Sequence, residues 1–368
     1  MPGRTNNRVR YAVVGLGHIA QIAVLPAFAH ARKNSVLTAL VSSERRKLKT
    51  LAERYGVKRT FAYEDYEACL NEVDAVYIAL PNSMHAEYAI RAANAGVHVI
   101  CEKPMAVTVD ECERMIRAAR EANVKLMVAY RLHFEQVNLK AIDLARRGRI
   151  GAPKIFTSTF CERVKPGDIR TRKDLGGGTL YDIGIYCINA ARYLFGAEPT
   201  EVWACSVNAA PRRLPQVDES TAAVLRFDGG RLASFVVSFN AADVASYRIV
   251  GTKGQLHVDP AYEYAVGLAY TLTIGEKTTR EKTRKRDQFA PELVYFSDCI
   301  RRNRQPEPSG EEGLQDVRIV QSLYESAETG KPMRLPPYRP TKRPSGQQRI
   351  DRPPVKKPKL VETRSPTE

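Results

Sequence analysis

The sequence predicts an α/β chain: an N-terminal doubly wound parallel sheet, then an α+β unit built on a large, open, mostly antiparallel sheet. Three observations predict it. Tyr11 to Ala20 reads as a buried strand, a glycine turn and the opening of a helix. From there to residue 130, short apolar strands alternate with helices of roughly 10–15 residues, the rhythm of βαβ units. From Pro153 the pattern changes to runs of period two. The expected division is 8–130, 131–336 and a tail over 337–368.

The first stretch carries the most information. Tyr11 to Val14 are apolar and β-prone. Gly15 permits the tight turn and Gly17 lets a ligand approach bare backbone. The amides of Gly17, His18 and Ile19 open the helix and suit phosphate oxygens. With Ala20 third, the pattern is G-x-G-x-x-A, a dinucleotide fingerprint in its required strand–turn–helix context. This makes the first unit a Rossmann domain.

The remaining elements follow in order. A helix spans 20–31, with Pro26 kinking it or delaying its start. A strand covers 36–41. An NAD-specific site places an acid at its end, but here the run is Ser42-Ser43-Glu44-Arg45-Arg46-Lys47. Hydroxyls and cations attract a 2′-phosphate, so Ser42, Ser43, Arg45 and Lys47 favour NADP(H). Glu44 is a competing acid and leaves NAD open. Helix 47–55 ends at Gly56, and a short strand at 60–62 precedes helix 63–71. Strand 75–80 stops at a turn holding Leu80, Pro81, Asn82 and His85, beside the cofactor. Helix 86–95 follows. Strand 97–100 runs into Cys101-Glu102-Lys103-Pro104. Helix 110–122 and strand 125–129 complete the unit, with Arg131 just past the last strand. Ligands of such sheets sit at the carboxyl ends of the strands, so Gly15, Ser42, Pro81, Glu102, Lys103 and Arg131 should converge on one crevice.

After a basic helix over 137–147, period-two runs cover 155–161, 201–209, 220–227, 232–239, 247–250, 255–258 and 268–274. Gly229-Gly230 marks a hairpin. Helices are expected at 181–195, 291–302 and 310–329, and a solvated loop at 275–286. One face of the antiparallel sheet is covered.

Composition narrows the class. The chain has 368 residues and a formal charge of +16. No apolar run approaches the ~20 residues of a membrane span. The polar stretch Met1–Arg10 lacks a secretory h-region. Seven scattered cysteines read as reduced thiols of a cytosolic protein, and the histidines do not cluster with them, so no metal is expected. Residues 339–368 hold nine Lys/Arg and three acids, +6 of the total. This proline-rich tail reads as disordered and solubilising, with no effect on kinetics if removed. Its Pro354–Lys359 run is compatible with a nuclear address, but nucleic acid is not the expected partner.

Two constellations carry chemistry. Lys103 after a buried strand is either a snorkelling surface group or a cation in the cleft. Gly176-Gly177-Gly178 precedes a helix whose Asp182, Tyr186 and Asn189 share one face, either a buried hydrogen-bond cluster or a polar stripe in use. Beside a nicotinamide, Lys103 and Tyr186 make an acid–base pair.

These motifs resemble the glucose–fructose oxidoreductase / inositol dehydrogenase (Gfo/Idh/MocA) family, over roughly residues 8–336. The resemblance rests on Gly15–Gly17, 76–85, 101–105, Tyr130-Arg131, 176–178, 182–186 and 310–318. It implies Lys103 as the active-site lysine and Asp182 as a substrate-orienting carboxylate. Tyr186 stands where most members have histidine, as in the glucose–fructose oxidoreductase branch. Ser42 and Lys47 match 2′-phosphate contacts, and Arg131 and Arg170 match residues lining cofactor and sugar. The expected activity is NADP(H)-dependent oxidation or reduction of a sugar, by a homodimer or homotetramer joined through the C-terminal sheet. The alternatives are an aldose–aldose or glucose–fructose oxidoreductase with bound cofactor, and a non-catalytic NADP-binding regulator. The exported enzyme's N-terminal arm has no counterpart here, so free exchange of cofactor is expected.

Overall fold

Six parallel strands form the first sheet: β1 (Val9–Val14), β2 (Ser35–Val41), β3 (Arg59–Phe61), β4 (Ala75–Ile78), β5 (His98–Glu102) and β6 (Leu126–Ala129). Their order is β3-β2-β1-β4-β5-β6. The computed structural model describes residues 8–368; the first seven residues of the expected polar head lie outside the described residues. All four residues of β4 are buried, as they are in β6. A parallel sheet covered on both faces needs such strands. Alternate residues of β1 feed two layers. Ala12 and Val14 join a core with Ala89 and Met115, whereas Tyr11 and Val13 join one with Leu293 and Phe296. The second layer is thus completed by helix Ala290–Arg301, which returns from far along the chain. The Tyr11 hydroxyl meets Ser297 Oγ there at 2.8 Å.

The second sheet has nine strands: β7 (Pro153–Arg163), β8 (Pro199–Val207), β9 (Ser220–Phe227), β10 (Arg231–Ser238), β11 (Asn240–Gly251), β12 (Gly254–Val258), β13 (Ala269–Ile274), β14 (Lys277–Lys282) and β15 (Met333–Arg334). Their order is β14-β13-β12-β11-β7-β10-β9-β8-β15. Only the β7–β10 pair is parallel. Gly229 and Gly230 turn the β9–β10 hairpin with φ of +74° and +68°, values that suit a two-residue hairpin turn. The expected loop over 275–286 contains β14 instead. Its six residues are all exposed, and it pairs with β13 along its length. Lys277, Arg280 and Lys282 make it a charged edge strand, which alternation of apolar residues does not reveal.

Helix Gly310–Thr329 stitches the two sheets. A methyl on Gly313 would approach Val128 Cγ2 to 2.7 Å and Met105 Cβ to 2.9 Å, so glycine lets this helix sit on the first sheet. Beside it, fully buried Arg192 bonds Glu198, Glu312 and Asp316 at 2.7, 2.8 and 2.6 Å.

The tail differs from expectation. Residues 337–368 run over the body as irregular chain with one 3₁₀ turn at Gly346–Gln348, rather than free in solvent. Arg343 pairs with Glu198 at 2.6 Å, and Gln348 Nε2 donates to Glu307 O at 2.8 Å. The compositional rule asks whether a segment can bury its own apolar surface. It does not register hydrogen-bond partners offered by a preformed surface.

Candidate active site

The glycine turn is built by two different needs. Gly15 has φ of +89°, and its amide donates to Val41 O at 3.0 Å. A methyl there would lie 2.4 Å from Ala79 O, so the turn is pressed against the end of β4. A methyl on Gly17 would meet nothing within 4 Å. That bare space opens into a crevice of about 450 Å³ lined by Gly17, His18, Ile19, Leu80 and Asn82 on one side. A cradle that a side chain would fill fits a dinucleotide pyrophosphate.

Lys103 follows β5 into the same crevice. Its Nζ donates to Asp182 Oδ1 at 2.9 Å and to Asp182 O at 2.6 Å. Burial works against the ammonium, but Asp182 and Tyr186 outweigh it, so the lysine pKa is raised and the charge persists. Arg170 Nε donates to Asp182 Oδ2 at 2.8 Å and its Nη1 to Asp168 at 3.0 Å. Burial would lift the Asp182 carboxyl, yet Arg170 and Lys103 hold it at about 2.

Tyr186 lies beside this cluster. Lys103 Nζ is 4.9 Å from the centre of its ring, and Arg131 Nη2 donates to its hydroxyl at 3.2 Å. Arg131 is held by Gln288 Oε1 and Tyr262 O. Lysine and phenol therefore share one crevice, but the direct partner of the phenol oxygen is the arginine. Asp182 and Tyr186 sit on one helix whose first turn, Leu180–Gly184, is π-helical before Ile185–Phe195 continues as α. The wide turn is a common device at ligand sites.

Other expected residues go elsewhere. Asn189 leaves the stripe and donates to Asp316 at 2.6 Å, within the buried Arg192 network. His85 is fully buried between Pro104 O at 2.8 Å and Leu80 O at 2.9 Å. It pins the lysine loop to the end of β4 and offers nothing to a cofactor, a correction to the sequence expectation. Ser42 is buried just past β2 and Ser43 is exposed beside it, while in the helix Arg45–Tyr55 that follows Arg45 is exposed and Lys47 is buried, its Nζ 2.5 Å from Glu44 Oε1. This group and Pro81 lie outside the crevice lining. Glu102 does line it. The Tyr77 hydroxyl stands 2.8 Å from Glu102 and 3.1 Å from Glu292. One O–H cannot donate to two carboxylates at once, and burial pushes both glutamates up.

Sequence reasoning missed two contributors. Glu162, at the end of β7, lines the crevice, and burial next to Asp182 raises its carboxyl to about 7. Nothing in its local pattern marks it apart from its place at a strand end. The second is the tail itself, since residues 363–367 line the same crevice. His18, opposite, is lowered to about 4 by burial and by Arg170. Among the described residues no helix is long and apolar enough to cross a membrane.

Comparison with known proteins gives a consistent picture. The model of an oxidoreductase family with an NAD-binding Rossmann fold (GFO_IDH_MocA) matches residues 9–130, and the GFO/IDH/MocA C-terminal domain model matches 138–257. A D-xylose 1-dehydrogenase [NADP(+)] of Haloarcula marismortui is 33% identical over 340 residues, 90% of this chain and 94% of the relative. The crystal structure of aldose–aldose oxidoreductase from Caulobacter crescentus, complexed with glycerol, aligns with a TM-score of 0.85 at 37% identity, covering 89% of this chain and all of that one. A 3-ketoreductase from Actinomadura kijaniata, in complex with NADP and TDP-benzene, aligns with a TM-score of 0.80 at 29% identity, over 87% of this chain and 98% of that one.

Proposed function

The chain belongs to the GFO/IDH/MocA family of oxidoreductases, and from that premise we propose that it is an NADP(H)-dependent sugar oxidoreductase acting on a CH–OH group, with Tyr186 as acid–base. The single observation that carries the site assignment is the meeting of Lys103, Asp182, Arg131 and Tyr186 in the crevice that starts at the glycine turn. The nicotinamide, when bound, supplies the hydride acceptor or donor. Gly17, His18 and Ile19 would hold its pyrophosphate through backbone amides.

The protein's own groups handle the proton. In the oxidative direction the Tyr186 oxygen takes the proton of the sugar C1 hydroxyl, and an aldose leaves as a lactone. Arg131 and Lys103 place positive charge beside the site, where negative charge develops during the transfer. Lys103 is an electrostatic and orienting group, because its bonds to Asp182 keep its charge in place. Asp182 fixes both Lys103 and Arg170, and through them the shape of the sugar subsite. Glu162 accepts from sugar hydroxyls.

Screening aldoses and ketoses with NADP⁺ and NAD⁺, following reduced-cofactor absorbance, tests the reading. Turnover of an aldose with preference for NADP⁺ is expected; no turnover of any sugar with either cofactor refutes it. A second reading, an aldose–aldose oxidoreductase that keeps its cofactor, draws support from the tail residues lining the crevice. Stoichiometric NADP(H) released on denaturing the purified protein would favour it.

The assembly belongs to the same proposal. Trp203, Val207, Val224, Leu232 and Val236 are exposed on the outer face of β8, β9 and β10. A contiguous apolar sheet face fits a second copy of the chain. The proposed location is the cytosol, in keeping with the seven free cysteines.

A further inference from the structure

The tail crosses the mouth of the crevice from one sheet's territory to the other's. On the Rossmann side, the fully buried Gln21 side chain receives the Val361 amide at 2.8 Å and donates to Val361 O at 2.9 Å. The same Gln21 amide donates to Leu16 O at 2.9 Å, inside the glycine turn. Arg54 Nη1 bonds Lys359 O at 2.6 Å, and Arg46 faces Glu362 at 3.5 Å. On the far side, the Lys165 amide donates to Pro366 O at 2.8 Å and the Glu368 amide to Arg163 O at 3.0 Å. Arg213 and Arg163 hold the Glu368 carboxylate at 2.8 and 2.9 Å. Between these anchors Thr363, Arg364 and Ser365 line the crevice, and Pro366 and Thr367 line it at the far anchor itself. Among the described residues Arg364 forms no ion pair.

We propose that residues 359–368 are a strap over the dinucleotide crevice, that Arg364 faces the cofactor phosphates from it, and that the strap must lift before NADP(H) can leave. The inference rests on the NADP(H) reading above. Three features argue for it. Gln21 satisfies both ends of its amide only with the strap in place, and it ties the strap to the turn that would cradle the pyrophosphate. The strap is anchored at both ends, so its middle closes a mouth rather than trailing past it. An arginine with no carboxylate partner beside a phosphate-cradling turn is suited to bind phosphate. Alignment with the Caulobacter enzyme takes in all of that chain and leaves part of this one outside. A strap of this kind gates the passage of the cofactor, and its lifting limits the rate of release, as opening of closing segments commonly does.

The test is NADPH release, read by stopped-flow fluorescence after mixing the loaded protein with excess NADP⁺. The full chain is compared with a chain ending at Pro337 and with the full-length Arg364→Ala variant. Release at least about tenfold faster from the truncated chain is expected, with a several-fold increase for Arg364→Ala. Circular dichroism checks that the truncated chain folds; if it does not, Arg364→Ala decides. Release as slow as that of the intact chain overturns the strap. So does tighter NADPH binding after truncation, which would make the tail an obstruction. An intact chain that binds no NADPH overturns the NADP(H) reading itself, and the strap with it.

Discussion

Two cations beside Tyr186 do different work. Lys103 is spoken for by the Asp182 side chain and carbonyl, whereas Arg131 spends a donor on the phenol oxygen. Tyr186→Phe removes the proton carrier and little else. Its kcat should fall by roughly 10²- to 10⁴-fold while the Kd for NADPH, measured by fluorescence titration, stays within about twofold. Equal losses in both would remove Tyr186 from the acid–base role. Asp182 makes a pH statement. Its folded pKa of about 2 lies below the usual 3.8, so its ion pairs stabilise the fold above that value. That contribution, about 2 kcal/mol, is lost as pH falls from 4 toward 2. Asp182→Asn should therefore flatten the acid limb of stability, read from urea midpoints at successive pH values; an unchanged limb would contradict the assignment.

At the scale of elements, the glycine turn separates fold from function within three residues. Gly15 is fixed by the packed backbone of Ala79, whereas Gly17 faces open space. Gly15→Ala should lower stability by about 2 kcal/mol or more through clash and positive φ. Gly17→Ala should leave the thermal midpoint almost unchanged but weaken NADPH binding at least about tenfold, since its methyl occupies the cradle. Matching losses of stability in both variants would deny the turn its ligand. The helix that carries Asp182 and Tyr186 makes the same division. Its early residues face the crevice and Asn189, one turn later, joins the buried network around Arg192.

Across the whole molecule, one exposed apolar surface spans β8, β9 and β10 on the outer face of the second sheet, at Trp203, Val207, Val224, Leu232 and Val236. Trp203 lies directly across from Val224 in the β8–β9 ladder. Val224→Asp puts a charge at the centre of that face without touching the inner core. If this face joins two copies as proposed, a shift to a smaller species in sedimentation velocity, with the circular dichroism spectrum kept, is expected; an unchanged sedimentation coefficient would overturn that use of the face. The tail belongs to this scale as well, because it ties the Rossmann helix bearing Gln21 to β7 and to Arg213 near the sugar side.

The class of fold, nearly every strand, the glycine turn and the three side chains Lys103, Asp182 and Tyr186 were legible in the order of residues. Those features are local: periodicity, glycine placement and strand ends are written in neighbouring residues. Packing of the two sheets was needed to reveal that Arg131 meets the phenol, that His85 is a structural pin, that Glu162 shares the crevice and that a basic, proline-rich tail lies across it. Each of those depends on groups far apart in the chain, on which residues face a given cavity once the sheets have packed, and on hydrogen bonds offered by a surface that exists only after folding.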